Sequence, residues 1–197
     1  MTYVTYTDIL RPSAKRYAWF YDLALVVGGS LFIALSARIT IPLPFSPVPL
    51  TGQTLAVLLI GALLGSRRGG LCLLAYLVEG IAGLPVFAGG AFGLAHLLGP
   101  TGGYLMGFIA AAYITGLLAE RGWDRRTGTT FLAMLLGNAV VYACGLPWLA
   151  SFTGVGRALL LGFYPFIAED LLKSALAAVL LPSGWSLLGL KAGRYDR

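Results

Sequence analysis

Apolar residues in this chain run in continuous blocks, such as 55–64 and 171–181, rather than alternating with polar ones. A barrel strand that spans a membrane alternates lipid-facing and lumen-facing residues over about ten positions, so the pattern selects helices. The blocks are too many for a water-soluble fold of this size. Of 197 residues, 58% are hydrophobic and 11% charged, against about half and a quarter in soluble domains. Lipid is the solvent that tolerates this excess, and in lipid the backbone must satisfy its own polar groups. The expectation is an all-α integral membrane protein.

About 20 apolar residues cross a bilayer, and the breaks place six such segments. The first covers residues 21–41 and ends at Pro42, Pro44, Pro47 and Pro49, which together forbid a regular helix. The second covers 51–66 and is followed by a tight basic turn at Arg67, Arg68, Gly69 and Gly70. The third covers 71–84. A glycine-rich stretch, 83–103, carries no charge apart from His96 and contains a short re-entrant or interfacial helix at 92–98. The fourth covers 102–119, the fifth 129–148 with a loop at 150–156, and the sixth runs from Pro165 to Leu181, where Pro182 stops it. Residues 1–19 read as a cytoplasmic lead-in, residues 20–190 as a single six-helix bundle, and 191–197 as a cytoplasmic tail, with Tyr17, Trp19, Phe20 and Tyr21 as interfacial aromatics where lead-in and bundle join.

The net charge of +6 would raise the question of nucleic acid in a soluble protein. Here the basic residues sit between apolar blocks and report orientation instead. With both termini inside, Arg11, Lys15, Arg16, Arg67, Arg68, Arg121, Arg125, Arg126, Lys191, Arg194 and Arg197 are cytoplasmic, and only Arg38, Arg157 and Lys173 lie outside. An odd number of spans destroys that partition. The two cysteines, Cys72 and Cys144, lie inside apolar blocks and read as packing residues.

No G-x-x-x-x-G-K-[ST] segment is present, so any ATP-driven step needs another subunit. One histidine is too few for a histidine-based metal site, and a nucleophile–base set at membrane depth is lacking, which argues against an intramembrane protease or acyltransferase. Charge inside a bilayer costs free energy and marks function or structural pairing. Asp170 and Lys173, three residues apart, share one face of the sixth helix, either as a structural ion pair or as donor and acceptor for a polar ligand. Glu79 either pairs with Arg38 or reaches outward. The outer loops 42–53 and 84–104 read as a lid over a pocket, with Gln53, Thr51, Tyr104 and Asn138 as uncharged polar groups that fix a ligand's orientation. Asn138 reads equally as an interhelical hydrogen bond. Ala24 with Gly28, and Ser30 with Ala34, have the small-x-x-x-small spacing of a close helix contact, within the protein or with a partner.

The run Pro44-Phe45-Ser46-Pro47-Val48-Pro49-Leu50-Thr51-Gly52-Gln53 resembles the first outer loop of the BioY family, the biotin-binding S components of energy-coupling-factor (ECF) transporters. Gly83-Leu84-Pro85-Val86-Phe87-Ala88-Gly89-Gly90 and Gly99-Pro100-Thr101-Gly102-Gly103-Tyr104 resemble its second and third signatures, and Asp170-Leu171-Leu172-Lys173 its D-x-x-K segment. The resemblance implies an ECF S-component-like bundle in a prokaryotic cell membrane. It implies biotin held on the outer side by Asp170, Lys173, Gln53, Thr51, Phe87, Gly89, Tyr104 and Asn138, with Phe87 and Tyr104 on the bicyclic ring. The implied partners are a transmembrane coupling subunit and two ATPases, or a homodimer if the chain acts alone, with no cofactor of its own. Another vitamin is the alternative substrate within the same family. The chain departs from the pattern before Asp170, where Ala168-Glu169 replaces the expected Pro-Gly.

Overall fold

The structure is a computed structural model that describes residues 3–187. The expected end of the bundle at 190 and the tail at 191–197 lie outside the described residues. A short helix α1 (Tyr6–Ile9) leads into α2 (Lys15–Ser36), so the first long helix takes in part of the expected lead-in and ends before residue 41. The chain then forms a two-stranded ribbon, β1 (Thr40–Ile41) against β2 (Leu50–Thr51), pairing Thr40 with Thr51. The four-proline segment is the loop of this hairpin. It has few N–H groups to satisfy and crosses the bundle as an irregular strap.

Helix α3 (Gln53–Leu64) turns into α4 (Ser66–Ile81) through Gly65 alone, at φ 83°. The tight basic turn expected at Arg67–Gly70 is therefore wrong: those residues form the first turns of α4. Two forces move the turn upstream. Glycine alone adopts this left-handed φ without strain. Glu120 then caps α4, its Oε1 accepting from the Ser66 N–H at 2.7 Å and the Ser66 hydroxyl at 2.8 Å, a carboxylate at the positive end of the helix dipole. Arg68 reaches back to Asp8 at 2.9 Å and Asp22 at 2.8 Å, tying α1 and α2 to this end of the bundle.

A 3₁₀ turn (Ala88–Gly90) and a short helix α5 (Leu94–Leu97) occupy the glycine-rich stretch, the latter inside the segment expected to be helical. Helix α6 (Gly102–Ala119) is central and packs on α3, α4 and α7. Small residues permit this. A Cβ on Gly61 would collide with the Ala112 carbonyl, and one on Gly116 with the backbone of Ser66, so backbones meet where larger side chains would hold the helices 8–10 Å apart.

Helix α7 (Thr127–Thr153) passes through Pro147 and continues beyond residue 148, and the expected loop at 150–156 shrinks to Gly154 at φ 83°. Helix α8 (Val155–Gly162) and a 3₁₀ turn (Tyr164–Phe166) lead into α9 (Ile167–Leu187). Pro182 does not end α9. An interior proline costs about 3 kcal/mol. Anchors on both sides of it hold the helix: Leu181 and Trp185 are buried, and the Trp185 indole donates to Asp124 at 2.6 Å.

By length and apolarity alone, three described helices suffice to cross a membrane, Arg16–Ser36, Gly102–Ala119 and Thr127–Thr153. Exposed aliphatic residues extend to the others, with Leu71, Leu74 and Val78 on α4 and Leu172, Leu176, Val179 and Leu180 on α9. A soluble domain does not expose apolar surface on this scale. Gly61→Leu is expected to destabilise the bundle by about 1–3 kcal/mol through overpacking, read as a lower thermal midpoint in detergent. Gly28→Ala, where an added Cβ meets nothing within 4 Å, is expected to leave that midpoint in place.

Candidate functional site

A cavity of about 580 Å³ lies between the hairpin strap, the α5 segment and the adjoining ends of α3, α6, α7 and α9. That volume falls in the usual range for small-molecule pockets. Its walls are apolar, with Leu43, Val48, Leu105, Phe108, Val141 and Phe166, and its polar groups gather where α3, α7 and α9 meet.

Helix α9 supplies Glu169 and Asp170 to that corner from its first turn. Asp170 is buried and accepts a hydrogen bond from the Tyr142 hydroxyl of α7. Tyr142 is held edge-on against Phe163, with ring centroids 4.9 Å apart, and against Tyr104 at 6.5 Å. Asn138, one turn earlier on α7, gives its amide N–H to Ser174 at 3.3 Å, while its Oδ1 is buried without a partner. Orphaned buried acceptors are rare and costly, and Asn138 is among the residues that line the cavity.

The expected pairing of Asp170 with Lys173 does not form. The Lys173 ammonium donates to Glu169, to the Thr51 carbonyl, and to the Thr54 hydroxyl at 2.8 Å. Glu169 lies one full turn from Lys173, the better spacing on a helix for an ion pair. Lys173 is thereby drawn behind the cavity surface, which it does not line, and ties β2, α3 and α9 together. Glu169 is thus the lysine's ionic partner.

Gln53, Thr51, Gly89 and Tyr104 all line the cavity. Gln53 donates to Tyr76 at 2.7 Å, and the Tyr76 hydroxyl donates on to the Val86 carbonyl at 3.0 Å, so the glutamine orients the loop after α4. The Tyr104 hydroxyl donates to Gly162 at 3.0 Å and presents its ring to the cavity. Gly89 sits at φ 66°, and its N–H reaches Thr40 at 3.3 Å, joining the loop to the hairpin.

Phe87 is not in the cavity wall. It is fully buried, pressed against Gly80 and stacked under His96 at 5.4 Å, so that His96 lines the cavity in its place. Sequence reasoning also missed Tyr142 and Thr54, whose only signals were the helical spacing of Tyr142 from Asn138 and the place of Thr54 next to Gln53. The Glu79–Arg38 pair is absent as well. Glu79 accepts from Ser30 at 2.8 Å, and Arg38 donates to the Pro85 carbonyl at 2.7 Å.

Of the expected docking face, Ser30 is buried inside the protein and Ala34 is half-buried, which turns that pair inward to serve Glu79. Ala24 and Gly28 remain exposed. Among the described residues, no three His, Cys, Asp or Glu side chains gather as a metal site requires.

Comparison with known proteins places this geometry in a family. The chain is 44% identical over 152 residues to a protein described as a probable biotin transporter BioY from Pyrococcus horikoshii, covering 77% of this chain and 90% of that one. It is 38% identical over 183 residues to the biotin transporter BioY of Rhizobium etli, covering 87% and 98%. The fold matches a 2.1 Å crystal structure of the S-component for biotin from an ECF-type ABC transporter with a TM-score of 0.72 at 26% identity, over 88% of this chain and 95% of that one. The BioY family model matches residues 11–190, and the chain belongs to the BioY family.

Proposed function

We propose that this chain is the biotin-binding subunit of a vitamin uptake transporter. The observation that carries the reading is the cavity itself, with apolar walls and one polar corner lined by Gln53, Thr54, Asn138 and Asp170. The ureido ring of biotin brings two N–H donors and one carbonyl. The carboxylate of Asp170 and the amide oxygen of Asn138 suit the donors, and hydroxyl or amide N–H groups at Thr54 or Gln53 suit the carbonyl. The Tyr142 hydroxyl occupies one lobe of Asp170 and aims the rest of the carboxylate. The ring of Tyr104 and the side chains of Phe108 and Phe166 supply apolar cover for the bicyclic system. A pocket of this kind rejects ligands that leave its buried acceptors unpaired.

The topology that fits is six spans, α2, α3, α4, α6, α7 and α9, with both termini cytoplasmic. The basic residues support it: Arg67, Arg68, Arg121, Arg125 and Arg126 cluster at the end of the bundle that α1 covers, opposite the cavity. The chain binds and does not hydrolyse ATP, so movement of the ligand inward draws on a coupling subunit and its ATPases. The strap at 42–49 and the α5 segment act as the outer closure, and the exposed Ala24–Gly28 face of α2 is the part of the expected docking surface still available to a coupling subunit.

Titration of purified, ligand-stripped protein by calorimetry is expected to show saturable binding of biotin and none of thiamine or riboflavin; the absence of any biotin binding would end this reading. Asp170→Asn, which keeps the shape and removes the charge, is expected to weaken biotin by about 10- to 100-fold, the worth of a hydrogen bond to a charged group, with an unchanged thermal midpoint. A reporter fused to the C-terminus is expected to be reachable by a membrane-impermeant reagent only after the cells are opened.

A further inference from the structure

Residues 42–49 form one side of the cavity, with Leu43, Ser46, Pro47 and Val48 in its lining. The strap is tied down lightly for its size. Four of its eight residues are proline, which has no N–H to give. Among the described residues, three hydrogen bonds involve it, and Ser46 makes all three. The Ser46 N–H donates to the Leu43 carbonyl at 3.2 Å, and its hydroxyl accepts from the Val48 N–H at 3.1 Å, both inside the strap. Only the third leaves it: the Ser46 hydroxyl donates to the Leu161 carbonyl at 2.7 Å. Buried Val48 adds an apolar hold, which has no direction of its own.

The Leu161 carbonyl is free to accept because α8 ends one residue later, at Gly162. The last carbonyls of a helix have no partner within it. The Gly162 carbonyl takes the Tyr104 hydroxyl at 3.0 Å in the same way. Two residues of the cavity lining, one from the strap and one from α6, therefore hand their hydroxyls to the same helix end. Helix α8 is a firm post for both, since it packs on α7 with Ala158 and Gly162 buried.

We infer that Ser46 is the clasp of the cavity: its one bond to the end of α8 holds the strap shut, and when that bond breaks the strap swings about the Ile41–Leu50 pair of the hairpin. The inference deepens the biotin reading, on which its rate measurements rest. Ser46 acts through the strap and not through recognition of the ligand, so it is a positioning residue. A gate that must open for entry and for exit sets both rates. Loss of the clasp therefore speeds both by one factor and leaves affinity in place.

Stopped-flow and chase measurements with labelled biotin on the full, ligand-stripped chain test this. Ser46→Ala is expected to raise the association and dissociation rates together by about three- to tenfold, the worth of one neutral hydrogen bond. Kd is expected to stay within about twofold, and the thermal midpoint of the ligand-free protein to stay in place. Ser46→Thr keeps the hydroxyl and is expected to return both rates to those of the parent. Amide exchange in the strap of the ligand-free protein is expected to quicken in Ser46→Ala by the same factor. A faster dissociation alone, with weaker Kd, would overturn the inference, because Ser46 would then be a ligand contact. Unchanged rates in both variants, a Ser46→Thr variant that behaves like Ser46→Ala, or a lowered thermal midpoint would overturn it too. None of these results touches the biotin reading. That reading fails if the parent does not bind biotin, and strap exchange then decides the clasp by itself.

Discussion

In hydrocarbon a polar group has no water to turn to, so every oxygen and nitrogen at membrane depth must find its partner within the protein. That requirement organises this molecule. It forces the backbone into helices and puts small residues where those helices meet. It also makes each polar side chain inside the bundle answer for its neighbours. Ser30 serves Glu79, Gln53 serves Tyr76, Tyr142 serves Asp170, and Lys173 serves Glu169, Thr51 and Thr54. Glu79, Asn138 and Glu169 each keep one buried oxygen without a partner, and Asn138 and Glu169 belong to the cavity lining.

The cavity is built from the few segments that escape helical regularity. The proline strap and the glycine-rich loop leave the ladder of helix hydrogen bonds and are held instead by particular contacts: Ser46 to Leu161 at 2.7 Å, Arg38 to Pro85, and Trp148 to Gly99 at 2.9 Å. Irregular backbone is tolerated at such depth only where it is buried in protein or lines a cavity. At the opposite end Arg68, Asp8, Asp22 and Glu120 lock the α3–α4 and α6–α7 connections together.

Helix class and the apolar segments were legible because they follow from hydropathy, which acts locally along the chain. The fourth helix was placed at 102–119, as the structure has it, because glycine and proline mark one end and charge the other. The signals that misled were local ones overridden by tertiary contact. Arg67–Gly70 looks like a turn, yet Glu120, more than fifty residues away in sequence, makes it a helix start. Pro182 looks like a stop, yet the burial of Trp185 carries α9 past it. Phe87 looks like a ligand-stacking ring, yet the space beside Gly80 takes it into the core. The Lys173–Glu169 pair shows the limit most clearly. The spacing of three puts Asp170 and Lys173 on one helix face, and only the fold reveals that Glu169, a full turn before the lysine, is its partner.

The most direct test of the central claim is a crystal structure of the protein with biotin bound. The account predicts the ureido ring in the cavity, at the corner lined by Asp170 and Asn138. Biotin seated outside this cavity would contradict the account.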